Sequence, residues 1–153
     1  MLLFAVGGLY YLRPAAPNPD IAEYTQAIQL NPNDIGAYWS RALAYAEKAD
    51  HDHAIADFDQ VIKLLPEDAE VYHQRGQSYA AKRDYQRALA DYDRSIQLAP
   101  DHDTTVYIDR GNAYIKVGEK EKAIIDFQKV LEMSGNADER KQAEERLGEL
   151  GVR

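Results

Sequence analysis

The fold is decided by residues 69–102, AEVYHQRGQSYAAKRDYQRALADYDRSIQLAPDH, which predict two short amphipathic helices. In the first half, Tyr72, Gly76 and Tyr79 fall at positions i, i+4 and i+7, which lie on one stripe of a helix. A stripe with the same spacing follows in the second half, formed by Ala88, Tyr92 and Ser95. Neither stripe is buried by its own helix, so the two helices are expected to pack together.

The break between these helices falls at residues 82–84. Asp84 is placed to cap the second helix, and Pro100 ends that helix because proline has no backbone N–H. Gly76 and Ala88 are small enough to let the two backbones approach closely, with aromatic rings on either side. The stretch therefore predicts a helical hairpin that needs neighbouring hairpins to bury its remaining apolar surface.

The same pattern recurs at a nearly constant spacing along the chain. A step of 34 residues toward the N-terminus reaches Tyr38, Ala42, Tyr45, Ala54, Phe58 and Pro66. A step of 35 residues toward the C-terminus reaches Tyr107, Gly111, Tyr114, Ala123 and Phe127, with Gly135 in place of the proline. This aromatic–small–aromatic pattern at this period resembles the tetratricopeptide repeat (TPR) family. Arg41, Arg75 and Arg110 stand where the commonest family pattern has leucine.

The resemblance implies an all-α fold, a right-handed α-solenoid of stacked antiparallel helix hairpins. We expect a partial copy at 20–34, full copies at 35–68, 69–103 and 104–135, and a capping helix at 136–153. In that last helix, Asn136 and Glu139 resemble a capping box, and the apolar stripe contains Ala143 and Leu147. A solenoid needs such a cap because its last repeat otherwise leaves an apolar face open.

Composition excludes several classes of function. The 153 residues carry a net charge of −8, which disfavours binding to nucleic acid and to anionic membrane surfaces. The absence of cysteine excludes disulfides and thiolate metal sites.

Residues 1–12, MLLFAVGGLYYL, are apolar on all sides, and residues 13–19 form a proline-rich break. Three interpretations of the apolar segment stay open: a degenerate first repeat, a shortened or atypical membrane or signal segment, and an artificial addition to the natural chain. An exposed apolar helix is unfavourable in water, so we expect burial against the chain or a partner. The location is accordingly either cytoplasmic or membrane-tethered.

No catalytic, cofactor or metal-binding motif is evident, so the chain is expected not to be an enzyme. His51 and His53 are two residues apart at a helix start and face different directions, which favours a solvated turn over a pair of metal ligands. The arginines of the three copies recur opposite Asp57, Asp91 and Asp126. Our hypothesis is that each arginine bonds an aspartate of its own or the adjoining hairpin.

The resemblance further implies a concave groove lined by the first helix of each hairpin, which takes an extended peptide or a helix of a partner protein. The matching positions are Trp39, Ser40 and Leu43, then Glu70, His73, Gln74 and Gln77, then Thr105, Ile108, Asp109, Asn112 and Lys116. Their amides suit peptide backbone, and Trp39 and Ile108 offer apolar anchors. Trp39 is expected to point away from the hairpin core, the alternative being burial under the first hairpin. His73 is either a polar wall residue or a pH-sensitive contact.

The predicted function is a protein-interaction scaffold for a neutral or basic segment. TPR domains that hold acidic chaperone tails use lysine, arginine and asparagine at groove positions that here carry Trp39, Leu43, Gln74, Thr105 and Asp109. An acidic tail is therefore a poor ligand for this acidic chain. The alternative function is a membrane-tethered or self-associating assembly subunit that uses residues 1–12 as its anchor or docking element.

Overall fold

A computed structural model describes residues 21–101 and 103–152. Within these ranges the chain forms eight α-helices and no strand. The helices are α1 Ile21–Leu30, α2 Ile35–Glu47, α3 His51–Leu64, α4 Ala69–Ala81, α5 Tyr85–Leu98, α6 Thr105–Val117, α7 Lys120–Met133 and α8 Ala137–Glu149. Each packs against the next along the chain, so α2–α3, α4–α5 and α6–α7 are the three predicted hairpins.

The three interpretations of residues 1–12 and the proline-rich break at 13–19 concern residues outside the described ranges. No helix within those ranges combines the length and the apolar character that a bilayer crossing requires.

Local signals fix where the helices begin and end. The side chain of Asp84 accepts a hydrogen bond from the backbone N–H of Arg87, as the N-cap of α5. Asp50 does the same for α3 through His53. Gly118 follows α6 with φ of 82°, a left-handed conformation that glycine adopts without strain. The sequence therefore sets the helix boundaries locally.

Glycine has no side chain, and at two positions this lets the paired helices approach closely. A Cβ atom added to Gly76 would lie 2.6 Å from Cε1 of Tyr92, whose ring is fully buried between the helices. At the matching place in the next hairpin, a Cβ added to Gly111 would lie 2.9 Å from Cζ of Phe127. The expected close approach of small residue and ring is confirmed, and it makes the aromatic residues the centre of each hairpin.

The predicted arginine–aspartate pairs form in all three hairpins. In the second, Arg75 donates from Nε and Nη2 to the two carboxylate oxygens of Asp91, at 2.8 and 2.6 Å. Its Nη1 donates to Asp59 of the preceding hairpin at 2.6 Å. Arg41 and Arg110 make the same two-pronged contacts with Asp57 and Asp126. Each arginine therefore joins the two helices of its own hairpin.

The third contact of each arginine ties it to the preceding element of the stack. Nη1 of Arg110 donates to Asp93 at 2.7 Å, and Nη1 of Arg41 donates to the hydroxyl of Thr25 in α1 at 2.9 Å. Burial alone would lower the pKa of Arg110, but the hydrogen bonds and charge of Asp126 outweigh it and raise that pKa. The guanidinium groups therefore stay charged in their half-buried positions.

The C-terminal helix closes the stack as predicted, with Ala143 and Leu147 buried against the preceding hairpin. Asn136 caps it by accepting hydrogen bonds from the N–H groups of Asp138 and Glu139. The return bond of a capping box is absent, because the N–H of Asn136 donates to the Ser134 hydroxyl at 3.0 Å instead. That part of the prediction was wrong: the carboxylate of Glu139 accepts from the Ser134 hydroxyl and from Thr104, so it links α8 to the start of α6.

Candidate functional site

The first helices of the hairpins line the inner side of the stack. α4 lies against α6, and α6 lies against α8, whereas α3, α5 and α7 make no comparable contacts with one another in the described part of the chain. Elements that approach one another on one side and diverge on the other form a curved layer with a concave face. The concave face is therefore built from α2, α4 and α6.

The predicted groove residues differ in how far they reach solvent. Two are exposed: Gln77 and Lys116. Eight are half-buried: Trp39, Ser40, Leu43, Glu70, Gln74, Thr105, Asp109 and Asn112. Two are buried: His73 and Ile108.

The expectation that Ile108 is an apolar anchor for a partner was wrong. Its side chain is only 5% exposed and belongs to the core that also contains Ala143 of α8. Because α6 lies between α4 and α8, this position is covered by the chain itself. An apolar residue next to a capping helix looks the same in the sequence as one in an open groove.

Trp39 does not point away from its hairpin as expected. Its ring meets Phe58 of α3 edge to face, with centroids 5.7 Å apart and planes at 70°. The side chain remains half-buried, so one part packs on the hairpin core and the other stays accessible. Leu43, one turn further along α2, packs partly against the same core. Together they form the accessible apolar part of the concave face.

His73 is neither an exposed residue of the groove wall nor a side chain that is free to contact a ligand. It is 3% exposed, and its Nε2 donates to a carboxylate oxygen of Asp109 in α6 at 2.8 Å. Nε2 of Gln77 donates to the same oxygen at 2.8 Å. The ring also meets Tyr92 edge to face at 5.9 Å. Burial, with the Asp109 charge adding to it, raises the pKa of Tyr92, which therefore stays neutral. This polar cluster fastens α4 to α6.

Three groups with metal-ligand chemistry come together beside that cluster. A carboxylate oxygen of Glu70, a ring nitrogen of His73 and a carboxylate oxygen of Asp103 all lie within 4.8 Å of one another. No metal site was predicted here from the sequence, because Asp103 lies in the α5–α6 loop, far along the chain from the α4 residues. The only signal was Glu70 and His73 one helical turn apart.

The other two described histidines, His51 and His53, lie in the first turn of α3 and not in a solvated turn, and Nδ1 of His51 is buried without a hydrogen-bond partner among the described residues. Nδ1 of His53 lies 2.8 Å from Asp50, the capping residue, and its ring stacks on Tyr45 with centroids 4.9 Å apart. The hydrogen bond with His53 lowers the pKa of Asp50. These contacts hold the start of α3.

Several polar groups on the concave face remain available to a ligand. The side chains of Ser40 and Asn112 make no hydrogen bond with any described residue. Gln74 and Gln77 donate their amide N–H groups to Glu70 and Asp109, and no described residue donates to their side-chain oxygens. The face therefore offers donors and acceptors along α2, α4 and α6, next to the partly accessible Trp39.

Two family models, both described as tetratricopeptide repeat, match the chain. One matches residues 76–148, and the other matches residues 18–69 and 40–103. The chain belongs to the tetratricopeptide repeat family. TPR domains bind other proteins or peptides and are generally not enzymes.

Solved TPR structures agree in fold. The crystal structure of MamA has a TM-score of 0.77 at 22% identity, covering 87% of this chain and 78% of that one. TTC0263, a thermophilic TPR protein in Thermus thermophilus, has a TM-score of 0.74 at 19% identity, covering 85% and 72%. YrrB, described as a TPR protein with an unusual peptide-binding site, has a TM-score of 0.72 at 21% identity, covering 86% and 68%. The fold is a right-handed α-solenoid. The search of curated protein sequences found no significant match.

Proposed function

We propose that this TPR chain is a non-catalytic scaffold that binds an extended segment or a helix of another protein on its concave face. The observation that carries the proposal is the set of side chains with unused hydrogen-bonding groups there, above all Asn112. A half-buried amide without a partner in the described chain is expected to gain one on binding, because a peptide backbone supplies both donors and acceptors. Trp39 and Leu43 add apolar surface beside this polar row.

The polar groups of this face are predicted to contribute to peptide affinity. We would select peptides from a displayed random library on the full chain, then measure their dissociation constants by fluorescence anisotropy. Asn112→Ala is expected to weaken the selected peptides about fivefold, which corresponds to the roughly 1 kcal/mol net value of one hydrogen bond. Gln74→Ala is expected to have a similar effect.

The matched control is Gln97→Ala, an exposed amide on α5 and thus on the other side of the stack. It is expected to leave the dissociation constants unchanged. Peptides that lose affinity with Gln97→Ala and keep it with both inner variants would place binding on the convex side and overturn the proposal.

The partner segment is expected to be neutral or basic. Two acidic groups of the face, Glu70 and Asp109, have no lysine or arginine partner among the described residues, and the whole chain carries a net charge of −8. Selected peptides should therefore be enriched in lysine and arginine, and their affinity should fall as salt rises from about 0.05 to 0.5 M because screening weakens exposed charge pairs. Enrichment in aspartate and glutamate would contradict this preference.

A further inference from the structure

The environment of His73 points to a second function, different from the binding of a peptide on the concave face. The side chain is 3% exposed, and Nε2 lies 2.8 Å from Asp109. Because a carboxylate only accepts hydrogen bonds, Nε2 must carry the hydrogen. In the neutral ring the lone pair is then on Nδ1.

Nδ1 faces the carboxylate of Asp103, and the carboxylate of Glu70 lies nearby. Nδ1 lies 3.9 Å from Oδ2 of Asp103, too far for a hydrogen bond, and no described residue donates to it. Glu70, one helical turn before His73, brings its carboxylate within 4.8 Å of both groups. The lone pair of Nδ1 is not used within the described chain, so it is available to an electron-pair acceptor placed between the three side chains.

The surrounding charges favour a cation. Neither Glu70 nor Asp103 pairs with a lysine or arginine among the residues that the structure describes. Other hydrogen bonds orient both carboxylates: Gln74 donates to Glu70 at 2.7 Å, and the backbone N–H of Thr105 donates to Asp103 at 2.8 Å. Groups fixed in this way lose little freedom when they bind a metal ion.

We propose that Glu70, His73 and Asp103 bind a divalent transition-metal ion, for which Zn²⁺ is the best fit. One nitrogen and two oxygen ligands, with water as the fourth, make a tetrahedral set that zinc accepts. Two ligands of a tetrahedral zinc ion lie about 3.3 Å apart, so Asp103 needs to move by less than about 1 Å from its present 3.9 Å. Asp109 then acts as the positioning residue, because a carboxylate on the second ring nitrogen fixes the tautomer of a ligating histidine.

Such an ion would join α4 to the loop before α6, and thus one hairpin to the next. The ligands come from both sides of that boundary, as do His73 and Asp109. Binding is therefore expected to stabilise the stack as well as to fill the site.

The test uses the full chain, treated with a chelator and then dialysed. Titration with Zn²⁺ alone should give one ion per chain with a dissociation constant in the micromolar range or below. Co²⁺ should give visible absorption of the intensity typical of tetrahedral coordination, and Mg²⁺ should not compete, since it prefers six oxygen ligands. No peptide is present, so the outcome is independent of the groove.

Glu70→Gln and Asp103→Asn should each weaken Zn²⁺ at least tenfold. Both keep the size of the side chain, and asparagine still accepts the Thr105 hydrogen bond at the start of α6. The control is His51→Gln with His53→Gln, which removes the other histidine pair and should leave the affinity unchanged. Absence of binding at millimolar Zn²⁺, or binding lost only in this control, would overturn the proposal.

Discussion

Replacing Arg110 by methionine is expected to lower the free energy of unfolding by about 3–5 kcal/mol. The arginine donates from Nε and Nη2 to both carboxylate oxygens of Asp126, at 2.9 and 2.6 Å. Asp126 is 1% exposed, and Arg110 is its sole hydrogen-bonding partner among the described residues. Methionine fills similar space but leaves a buried carboxylate without a counter-charge, which is the costly way to break such a pair. Urea unfolding followed by circular dichroism measures the loss.

The deficit should depend on pH. Burial raises the pKa of Asp126, and Arg110 opposes that rise. Without the arginine, the folded-state pKa rises further above the unfolded value. A group of that kind favours the folded state below its unfolded pKa and loses this contribution as pH rises through the folded pKa. The free energy of unfolding of Arg110→Met should therefore differ less from that of the parent near pH 4.5 than near pH 7.

Two variants separate the ion pair from the loss of an arginine side chain. Arg94→Met removes an exposed arginine of α5 that forms no ion pair within the described chain and lies 5.9 Å from the centroid of the Tyr72 ring, so it should cost no more than about 1 kcal/mol. Adding Asp126→Leu to Arg110→Met should recover most of the loss, because no buried charge is left. A loss below about 1 kcal/mol for Arg110→Met would show that the pair does not hold the hairpin together.

Replacing Gly76 by alanine is expected to cost about 1–3 kcal/mol. The added Cβ would lie 2.6 and 2.8 Å from two ring carbons of Tyr92 and 3.3 Å from Cβ of Asp91. The ring is fully buried, so it has no free space to move into. In an open helix the same change would be favourable by up to about 1 kcal/mol, since alanine is the better helix former. The crowding against the Tyr92 ring must therefore cost more than the higher helix propensity of alanine contributes.

Gly148 provides the matched control for this prediction. It also lies in a helix, α8, but a Cβ added there would meet nothing within 4 Å. Gly148→Ala should thus raise the melting temperature, whereas Gly76→Ala should lower it. Ala42 and Phe58 occupy the equivalent places in the first hairpin, so that hairpin already accommodates one methyl group. If Gly76→Ala proved as stable as the parent, the second hairpin would also have room for a methyl group, and the prediction would be wrong.

The sequence predicted the helices and their pairing because those properties are set locally and repeat. Asp84 caps its helix through the backbone N–H three residues further on, and Gly118 takes up the left-handed turn; neither depends on distant contacts. The arginine–aspartate pairs were predictable for a related reason. Three copies at one period make a pairwise contact visible as a recurring pair of positions.

The concave face was predicted less well, because it depends on contacts between copies that differ. Ile108 is buried in a core that also contains Ala143 and Leu147 of α8, and this capping helix is not one of the repeated hairpins. His73 is buried because Asp109 of the next copy accepts its hydrogen, and the aligned positions of the other copies carry no such pair. Trp39 packs on Phe58. Contacts that recur in every copy can therefore be predicted from the repeat pattern, whereas a contact formed by only one pair of copies cannot.

The third contact of each arginine determines where a further repeat could be added to the stack. Its acceptors, Thr25, Asp59 and Asp93, are spaced 34 residues apart, so each repeat presents an acceptor to the one that follows. A duplicate of residues 69–102 inserted before α6 would bring an arginine for Asp93 and offer a new aspartate to Arg110. After α7 the series stops, because the corresponding acceptor is Gln128 and the corresponding donor is Glu145. This series of contacts thus favours insertion in the middle of the array, where the new arginine would meet an aspartate, over extension after α7, where it would meet only the neutral amide of Gln128.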